Sequence, residues 1–329
     1  MSSRVLPAGR RYTIGSVQTP QGDLAVGNWQ ATTADPTTPA PVVLAVHGIT
    51  GNHRCWPMLA DSLKGHRIIA PDLRGRGRSS TLDGPYGMVA HAEDLIRILD
   101  AQGLEAATLV GHSMGAFVTL VAAHRYPDRV KGLILVDGGL PMTREIPDNL
   151  DDTLVLTQLR SRLETTFAHE RDAVAAWRAH PAFLHSWSPV MADYAVYDLG
   201  GERPQLRSRA RLPGLVADSR DIMTGTAHRV AIEELTRPVQ WLTASRGLLG
   251  EQPGLYPLDL VLHWRERYPL VAVHPVPDVN HYTIVLSRSG SEAIAAAVLR
   301  SAQGNFQQCS ERPQGGTPPT FPRRPSSPP

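Results

Sequence analysis

Short apolar runs and segments with helical spacing alternate along most of this chain. Two strand-like runs, 12–17 and 22–29, are separated by a Thr-Pro-Gln-Gly turn, which predicts an antiparallel hairpin. Continuous apolar runs follow, each typical of a strand buried on both faces, at 42–48, 66–73, 107–113 and 130–138. Helical patterns lie between them, at 53–64, 87–102 and 114–125. This alternation predicts an α/β fold, a mostly parallel central sheet with helices on both faces.

The pattern changes over residues 141–236, where strand-like runs are absent and aromatic residues recur with helical spacing. Strands and helices then alternate again from Val239 onward, and residues 304–329 contain seven prolines with very few apolar residues. We therefore expect a core built from 1–140 and 237–303, with a helical cap (lid) inserted at 141–236. The tail, 304–329, is predicted to be disordered because it cannot bury enough apolar surface to offset its ordering entropy.

The composition mainly argues against several classes of protein and kinds of site. The chain has 42% apolar and 19% charged residues and a formal net charge of only +2, so no global field favours nucleic acid. Two cysteines make a disulfide framework or a Cys-based metal site improbable. The N-terminus has no apolar segment typical of a secretory signal, and no run approaches the ~20 apolar residues that a membrane span needs. We expect a cytoplasmic protein without membrane insertion.

The strongest local motif is Gly-His-Ser-Met-Gly, residues 111–115, which fits G-x-S-x-G. It stands between a predicted strand and a predicted helix, the context in which this motif presents a nucleophile. A serine on so tight a turn needs small neighbours, and Gly111 and Gly115 provide the space. Ser113 would then be exposed at a helix N-terminus, where the helix dipole favours developing negative charge. Ser113 is therefore the predicted nucleophile.

One of the thirteen histidines stands out by its position. His281 follows the last predicted strand by a few residues, where an imidazole could reach across the carboxyl edge of the sheet to act as a base. His53 is predicted to lie in a helical or surface setting, and His112 to be a packing residue of the serine turn. Neither is assigned a catalytic role.

In this order, the segments VHGITGNHRCW, APDLRGRGRSS, LVGHSMGAF and VNHYT resemble α/β-hydrolase-fold enzymes of the capped esterase, haloperoxidase and C–C hydrolase type. The resemblance covers about residues 12–302. It implies an oxyanion hole made by two backbone N–H groups, one from Met114 after the nucleophile and one from Ile49 after His47-Gly48. It also implies that the segment from Asp72 to Ser79 is a structural turn, so Asp72 is not assigned to catalysis.

The carboxylate of the expected triad is harder to place. In most members of the family it follows the strand after the cap, but there this chain has Gly247. The family also has an alternative in which the acid follows the strand after the nucleophile helix, and here that strand ends in Asp137. Asp137 is therefore the predicted acid and Glu251, in a longer loop, the alternative. Asp278 is so close to His281 in sequence that its geometry is doubtful.

The resemblance implies acyl transfer on a small to medium, apolar ester or lactone, with Ser113 as nucleophile and His281 as base. No metal or organic cofactor is required, and the expected partner is a small-molecule ester rather than nucleic acid. Two alternatives remain open. One is a C–C bond hydrolase or a cofactor-free haloperoxidase on the same triad. The other is a ligand-binding protein without turnover. The sequence also leaves open whether the protein forms a homodimer.

Overall fold

The computed structural model describes residues 3–5, 11–32, 38–144 and 163–303, together with 157, 160 and 161. The predicted tail at 304–329 lies outside the described residues, as does much of the segment that follows Arg144. The predicted α/β fold is confirmed: within the described residues, nine strands form one mostly parallel sheet, with helices packed on both faces. No helix in this part of the chain is both long and apolar enough to cross a lipid bilayer.

The strands follow the apolar runs closely. They are β1 (Ser3–Val5), β2 (Arg11–Thr19), β3 (Gly22–Trp29), β4 (Val42–Val46), β5 (Arg67–Pro71), β6 (Ala107–His112), β7 (Val130–Val136), β8 (Leu199–Gly200), β9 (Arg207–Ser208), β10 (Val239–Arg246) and β11 (Val271–Asn280). The large sheet has the order β1-β2-β3-β5-β4-β6-β7-β10-β11, and β8 pairs only with β9. The pairings β1–β2, β2–β3 and β3–β5 are antiparallel, and all others in this sheet are parallel.

The helices predicted at 87–102 and 114–125 are present to within one residue at each end, whereas no bounds were predicted for the helices between 141 and 236. The helices are α1 (Pro57–Ser62), α2 (Met88–Ala101), α3 (Met114–Arg125), α4 (Glu170–Ala179), α5 (Pro189–Tyr197), α6 (Leu212–Thr224), α7 (Ala227–Glu233), α8 (Leu258–Arg267), α9 (Thr283–Leu286) and α10 (Arg288–Ala302). The predicted helix at 53–64 is in fact a short 3-10 turn, His53–Cys55, followed by α1. Pro57 at the first helical position explains the separate start of α1.

The two faces of the sheet carry separate apolar clusters. On one face, α2, α3 and α8 contribute buried side chains such as Leu95, Leu120 and Trp264. On the other, α1 and α10 contribute Leu59 and Ile294. Strands covered on both faces must be apolar throughout, which is why their sequence runs are continuous rather than alternating.

In the region predicted as a cap, the described residues form the helices α4 to α7. They also form the short β8–β9 pair. The expectation of no strands between 141 and 236 was therefore wrong. The two strands have two residues each, too few for an apolar run to reveal them. The division into core and cap at residues 141 and 236 stays a prediction.

Parallel pairing places the carboxyl ends of the central strands side by side. Val46 of β4 pairs with Gly111 of β6, and His112 of β6 pairs with Val136 of β7. Val136 also aligns with Leu242 of β10. The residues that directly follow β4, β6 and β7 therefore meet at one edge of the sheet, which is where the candidate site lies.

Candidate active site

Ser113 occupies a strained turn between β6 and α3. Its backbone has φ 55° and ψ −121°, which an L-residue adopts only when its surroundings enforce it. A side chain on Gly115 would place Cβ 2.3 Å from the carbonyl oxygen of Val46, and one on Gly111 would place it 2.2 Å from that of Gly115. Both positions thus require glycine, as the motif predicted, and the close packing they allow holds the serine turn in place.

His281 lies beside this serine. Its Nε2 is 3.1 Å from Ser113 Oγ, within hydrogen-bonding distance. The loop that carries it is fixed by Asn280, whose Oδ1 accepts from the amides of Tyr282 and Thr283 at 3.0 and 2.9 Å. Nδ2 of Asn280 donates to the Ala182 carbonyl at 2.7 Å, which ties this loop to the turn after α4.

Asp137 forms a hydrogen bond to the other ring nitrogen of His281. Its Oδ2 accepts a hydrogen bond from His281 Nδ1 at 2.7 Å, and its Oδ1 accepts from the Ala244 amide at 3.0 Å. The carboxylate is buried, and the residue has a φ of 46° directly after β7. Gly138 follows it closely enough that a Cβ there would lie 2.3 Å from the Ser113 carbonyl oxygen. The chain therefore turns sharply beside the serine, which brings the carboxylate under the imidazole.

The other carboxylates lie elsewhere. Glu251 is exposed and bonds within its own loop, where Oε2 accepts from the Leu249 amide at 2.7 Å. Asp278 is also exposed. Of the acids weighed from the sequence, Asp137 is thus the one that the structure brings to His281, and the alternative Glu251 is not brought there.

Asp72 forms a separate, buried network. It accepts from His53 Nδ1 at 2.8 Å and from the Tyr197 hydroxyl at 2.7 Å. The hydroxyl of Tyr12 lies 2.7 Å from His53 Nε2. His53 does begin a short 3-10 helix, but its side chain is fully buried rather than at the surface, because its polar atoms find partners that are distant in sequence. Through Tyr197, Asp72 joins the turn after β5 to α5, and its exclusion from catalysis stays a prediction.

The predicted oxyanion donors lie beside the serine. Met114 is the first residue of α3, and both Met114 and Ile49 line the cavity that holds Ser113. The Gly48 carbonyl accepts from His47 Nδ1 at 2.7 Å and from the Gly51 amide at 2.9 Å. Since a trans peptide directs its N–H opposite to its C=O, these bonds aim the Ile49 N–H away from His47. Its role as an oxyanion donor stays a prediction.

His47 is a functional candidate that the sequence reasoning missed. Its Nε2 accepts from the Leu73 amide at 2.9 Å, so Nδ1 carries the proton that goes to Gly48. These two bonds set the tautomer, and burial lowers the pKa of His47 to about 4, which keeps the ring neutral. In the sequence His47 figured only as the residue before Gly48 in the predicted oxyanion segment, and the contact with Leu73, which follows β5, shows how His47 holds that segment.

His112 was predicted to be a packing residue, and it does more. Its Nε2 donates to the His281 carbonyl at 2.8 Å, and the two rings lie 4.7 Å apart. Burial and the neighbouring His281 hold the pKa of His112 well below its usual value, so it stays neutral. No sequence signal could have revealed this contact, because its partners are 169 positions apart.

A cavity of about 280 Å³ opens above Ser113 and His281. Its remaining wall is mainly apolar, and Asp137 is the one carboxylate among its described lining residues. Helices α5 and α6 form one side of it through Tyr194, Ser219, Ile222 and Met223. A concave, mainly apolar cavity with a few polar groups at one end is typical of a small-molecule site. In the described residues, no group of three or more metal-ligating side chains is present.

A serine on a strained strand-to-helix turn, a histidine and a buried carboxylate at one sheet edge are features of the α/β-hydrolase class. The comparisons with known proteins agree. The family described as the α/β hydrolase fold matches residues 41–199. Lipase LipV of Mycobacterium tuberculosis is 30% identical over 208 residues, which cover 56% of this chain and 79% of that protein. The chain belongs to the α/β-hydrolase fold family.

Other relatives match over shorter segments or in fold alone. A putative carbamate hydrolase, RutD, of Caulobacter sp. is 34% identical over 105 residues, 31% of this chain and 39% of that protein. The crystal structure of E-2-(acetamidomethylene)succinate hydrolase superimposes with a TM-score of 0.66 at 21% identity, covering 87% of this chain and 99% of that one. At that identity the likeness shows the fold and nothing finer.

Proposed function

We propose that this protein is a serine hydrolase that cleaves a carboxylic ester or lactone of a small to medium apolar substrate. The observation that carries the proposal is the hydrogen-bonded line from Asp137 through His281 to Ser113 beneath an apolar cavity. Lipase and putative carbamate hydrolase, the names of the two relatives, agree with it, since esters and carbamates both react by attack on a carbonyl.

The arrangement supports acyl transfer in two halves. Ser113 Oγ attacks the carbonyl while His281 Nε2 takes its proton, and the Ile49 and Met114 N–H groups hold the oxyanion. His281 then protonates the leaving alcohol and activates a water that hydrolyses the acyl-enzyme. Asp137 keeps the proton of the neutral imidazole on Nδ1 and stabilises the imidazolium that forms. The mainly apolar wall of the cavity suits a small to medium apolar substrate.

The test is labelling with a fluorophosphonate probe together with hydrolysis of nitrophenyl esters of increasing chain length. The wild type should be labelled and should hydrolyse short-chain esters, and Ser113→Ala should lose both activities. Ser245→Ala is the matched control, because Ser245 is near the same sheet edge but bonds to the Val279 carbonyl at 3.2 Å. A wild type that stays unlabelled would refute the proposal and favour a ligand-binding protein without turnover.

A further inference from the structure

Arg76 has a fully buried guanidinium group. It lies beside residues 47–51, the segment after β4 that contains Ile49 and is called the oxyanion loop below. Its Nε donates to the Ile49 carbonyl at 2.9 Å, so it holds the residue whose N–H is the proposed oxyanion donor. Its Nη1 donates to the Arg74 carbonyl at 2.8 Å and lies 2.6 Å from Asp218 Oδ2. One planar group therefore connects the turn after β5, the loop after β4 and helix α6.

Asp218 is the partner on the cap side, and it has further contacts. Its Oδ1 accepts from the Gly87 amide at 2.6 Å, and its Oδ2 lies 3.0 Å from His91 Nε2. Arg76, Asp218 and His91 are all fully buried. Burial alone would raise the pKa of Asp218, but His91 and Arg76 hold it at about 2. The pair is therefore ionised, and a buried ion pair costs much when only one partner is removed.

Helix α6 also forms part of the substrate chamber. Ser219, Ile222 and Met223 of this helix line the cavity above Ser113, and Asp218 directly precedes the first of them. The position of α6 thus affects both the fit of a substrate and, through Asp218 and Arg76, the carbonyl of Ile49.

We propose that Arg76 is a positioning residue that couples helix α6 to the oxyanion loop. When α6 packs against a bound substrate, the Asp218–Arg76 pair keeps Ile49 in the orientation that its N–H needs to meet the oxyanion. This inference depends on the proposed serine hydrolase function. It predicts an effect on the transition state rather than on ground-state binding, because the oxyanion exists only after attack.

The neighbouring Arg74 provides a matched comparison. It is also buried, and it pairs with Asp94 through Nη2 at 2.8 Å and donates to the Gly84 carbonyl at 3.1 Å. Among its described contacts, none reaches Ile49 or α6. Asp94→Asn therefore disturbs a buried ion pair in the same turn without disturbing the link to the oxyanion loop.

The experiment compares Arg76→Lys, the double variant Arg76→Met/Asp218→Asn and Asp94→Asn. A lysine keeps the charge for Asp218, but one ammonium cannot replace the planar fork that also reaches Ile49. The double variant removes both charges, so no unpaired charge remains to prevent folding. We expect both Arg76 variants to lose about tenfold to a hundredfold in kcat with little change in KM.

A second measurement separates positioning from a general loss of stability. The affinity for a trifluoromethyl ketone, which forms a hemiketal oxyanion on the serine, should fall by the same factor as kcat in both Arg76 variants. Asp94→Asn should lower Tm but keep the ketone affinity. Folded Arg76 variants with wild-type kcat and ketone affinity would overturn the inference. Failure of the wild type to be labelled or to hydrolyse esters would instead overturn the proposed function.

Discussion

Asp137→Asn is the sharpest test of how the candidate triad works, since it changes a few atoms and leaves the shape intact. In the wild type, Oδ1 accepts from the Ala244 amide at 3.0 Å and Oδ2 accepts from His281 Nδ1 at 2.7 Å. An asparagine has only one acceptor oxygen, and the buried Ala244 N–H requires it. The new NH₂ group must then face His281 Nδ1.

The substitution also changes which nitrogen of the His281 imidazole carries the proton. Nδ1 would have to accept from the asparagine NH₂, so the proton of the neutral ring would move to Nε2. Nε2 is the atom 3.1 Å from Ser113 Oγ, and in that tautomer it cannot take the serine proton. Wrong-tautomer substitution of a triad aspartate costs about 10⁴-fold in kcat. That factor corresponds to about 5.5 kcal/mol of transition-state stabilisation, at about 1.36 kcal/mol for each tenfold change.

The assay is steady-state hydrolysis of the best short-chain nitrophenyl ester, with Tm measured in parallel. Asp137→Asn should keep a Tm close to that of the wild type, because every buried polar atom retains a partner. Glu251→Gln serves as control and should keep full kcat, since Glu251 bonds to Leu249 in an exposed loop. If Asp137→Asn kept more than a tenth of the wild-type kcat, the tautomer argument would be wrong.

Two further predictions concern packing and pH. Gly115→Ala should lower the unfolding free energy by about 3 kcal/mol or more, because the new Cβ would lie 2.3 Å from the Val46 carbonyl oxygen. Denaturant titrations measure this loss. Gly15→Ala is the control, because no atom lies within 4 Å of its new Cβ. Burial lowers the pKa of His228 to about 4, so the unfolded chain takes up a proton below pH ~6.5 that the folded chain does not. Unfolding free energy should therefore fall by up to about 3 kcal/mol from this residue between pH 7 and 4. His228→Leu should flatten that part of the measured profile, and an unchanged profile would contradict it.

The sequence predicted the parts of the site that local pattern determines. The glycines around Ser113 and the strand-to-helix context are properties of a few consecutive residues, and His281 was identified by its distance from the last strand. The parallel order of the sheet followed from continuous apolar runs, which reflect burial on both faces. These inferences need no knowledge of which distant residues meet.

What the sequence could not show are contacts between distant segments. Arg76 meets Asp218, and His112 meets the His281 carbonyl, across more than a hundred positions in each case. A buried polar side chain looks like an exposed one in a sequence, because its burial depends on partners that pattern cannot locate. This is why the burial of His53 was not predicted.

The order of the strands explains why Asp137 can take the place of an acid after β10. Strand β7 lies between β6, which leads to Ser113, and β10, so the ends of β7 and β10 are neighbours at about 4.8 Å spacing. A carboxylate at either end can reach the same imidazole, provided that the chain bends there, as the positive φ of Asp137 makes it do. If Asp137 is the triad acid, as we propose, the loop after β10 need not hold a triad residue. That loop contributes Leu248 and Leu255 to the wall of the cavity above Ser113.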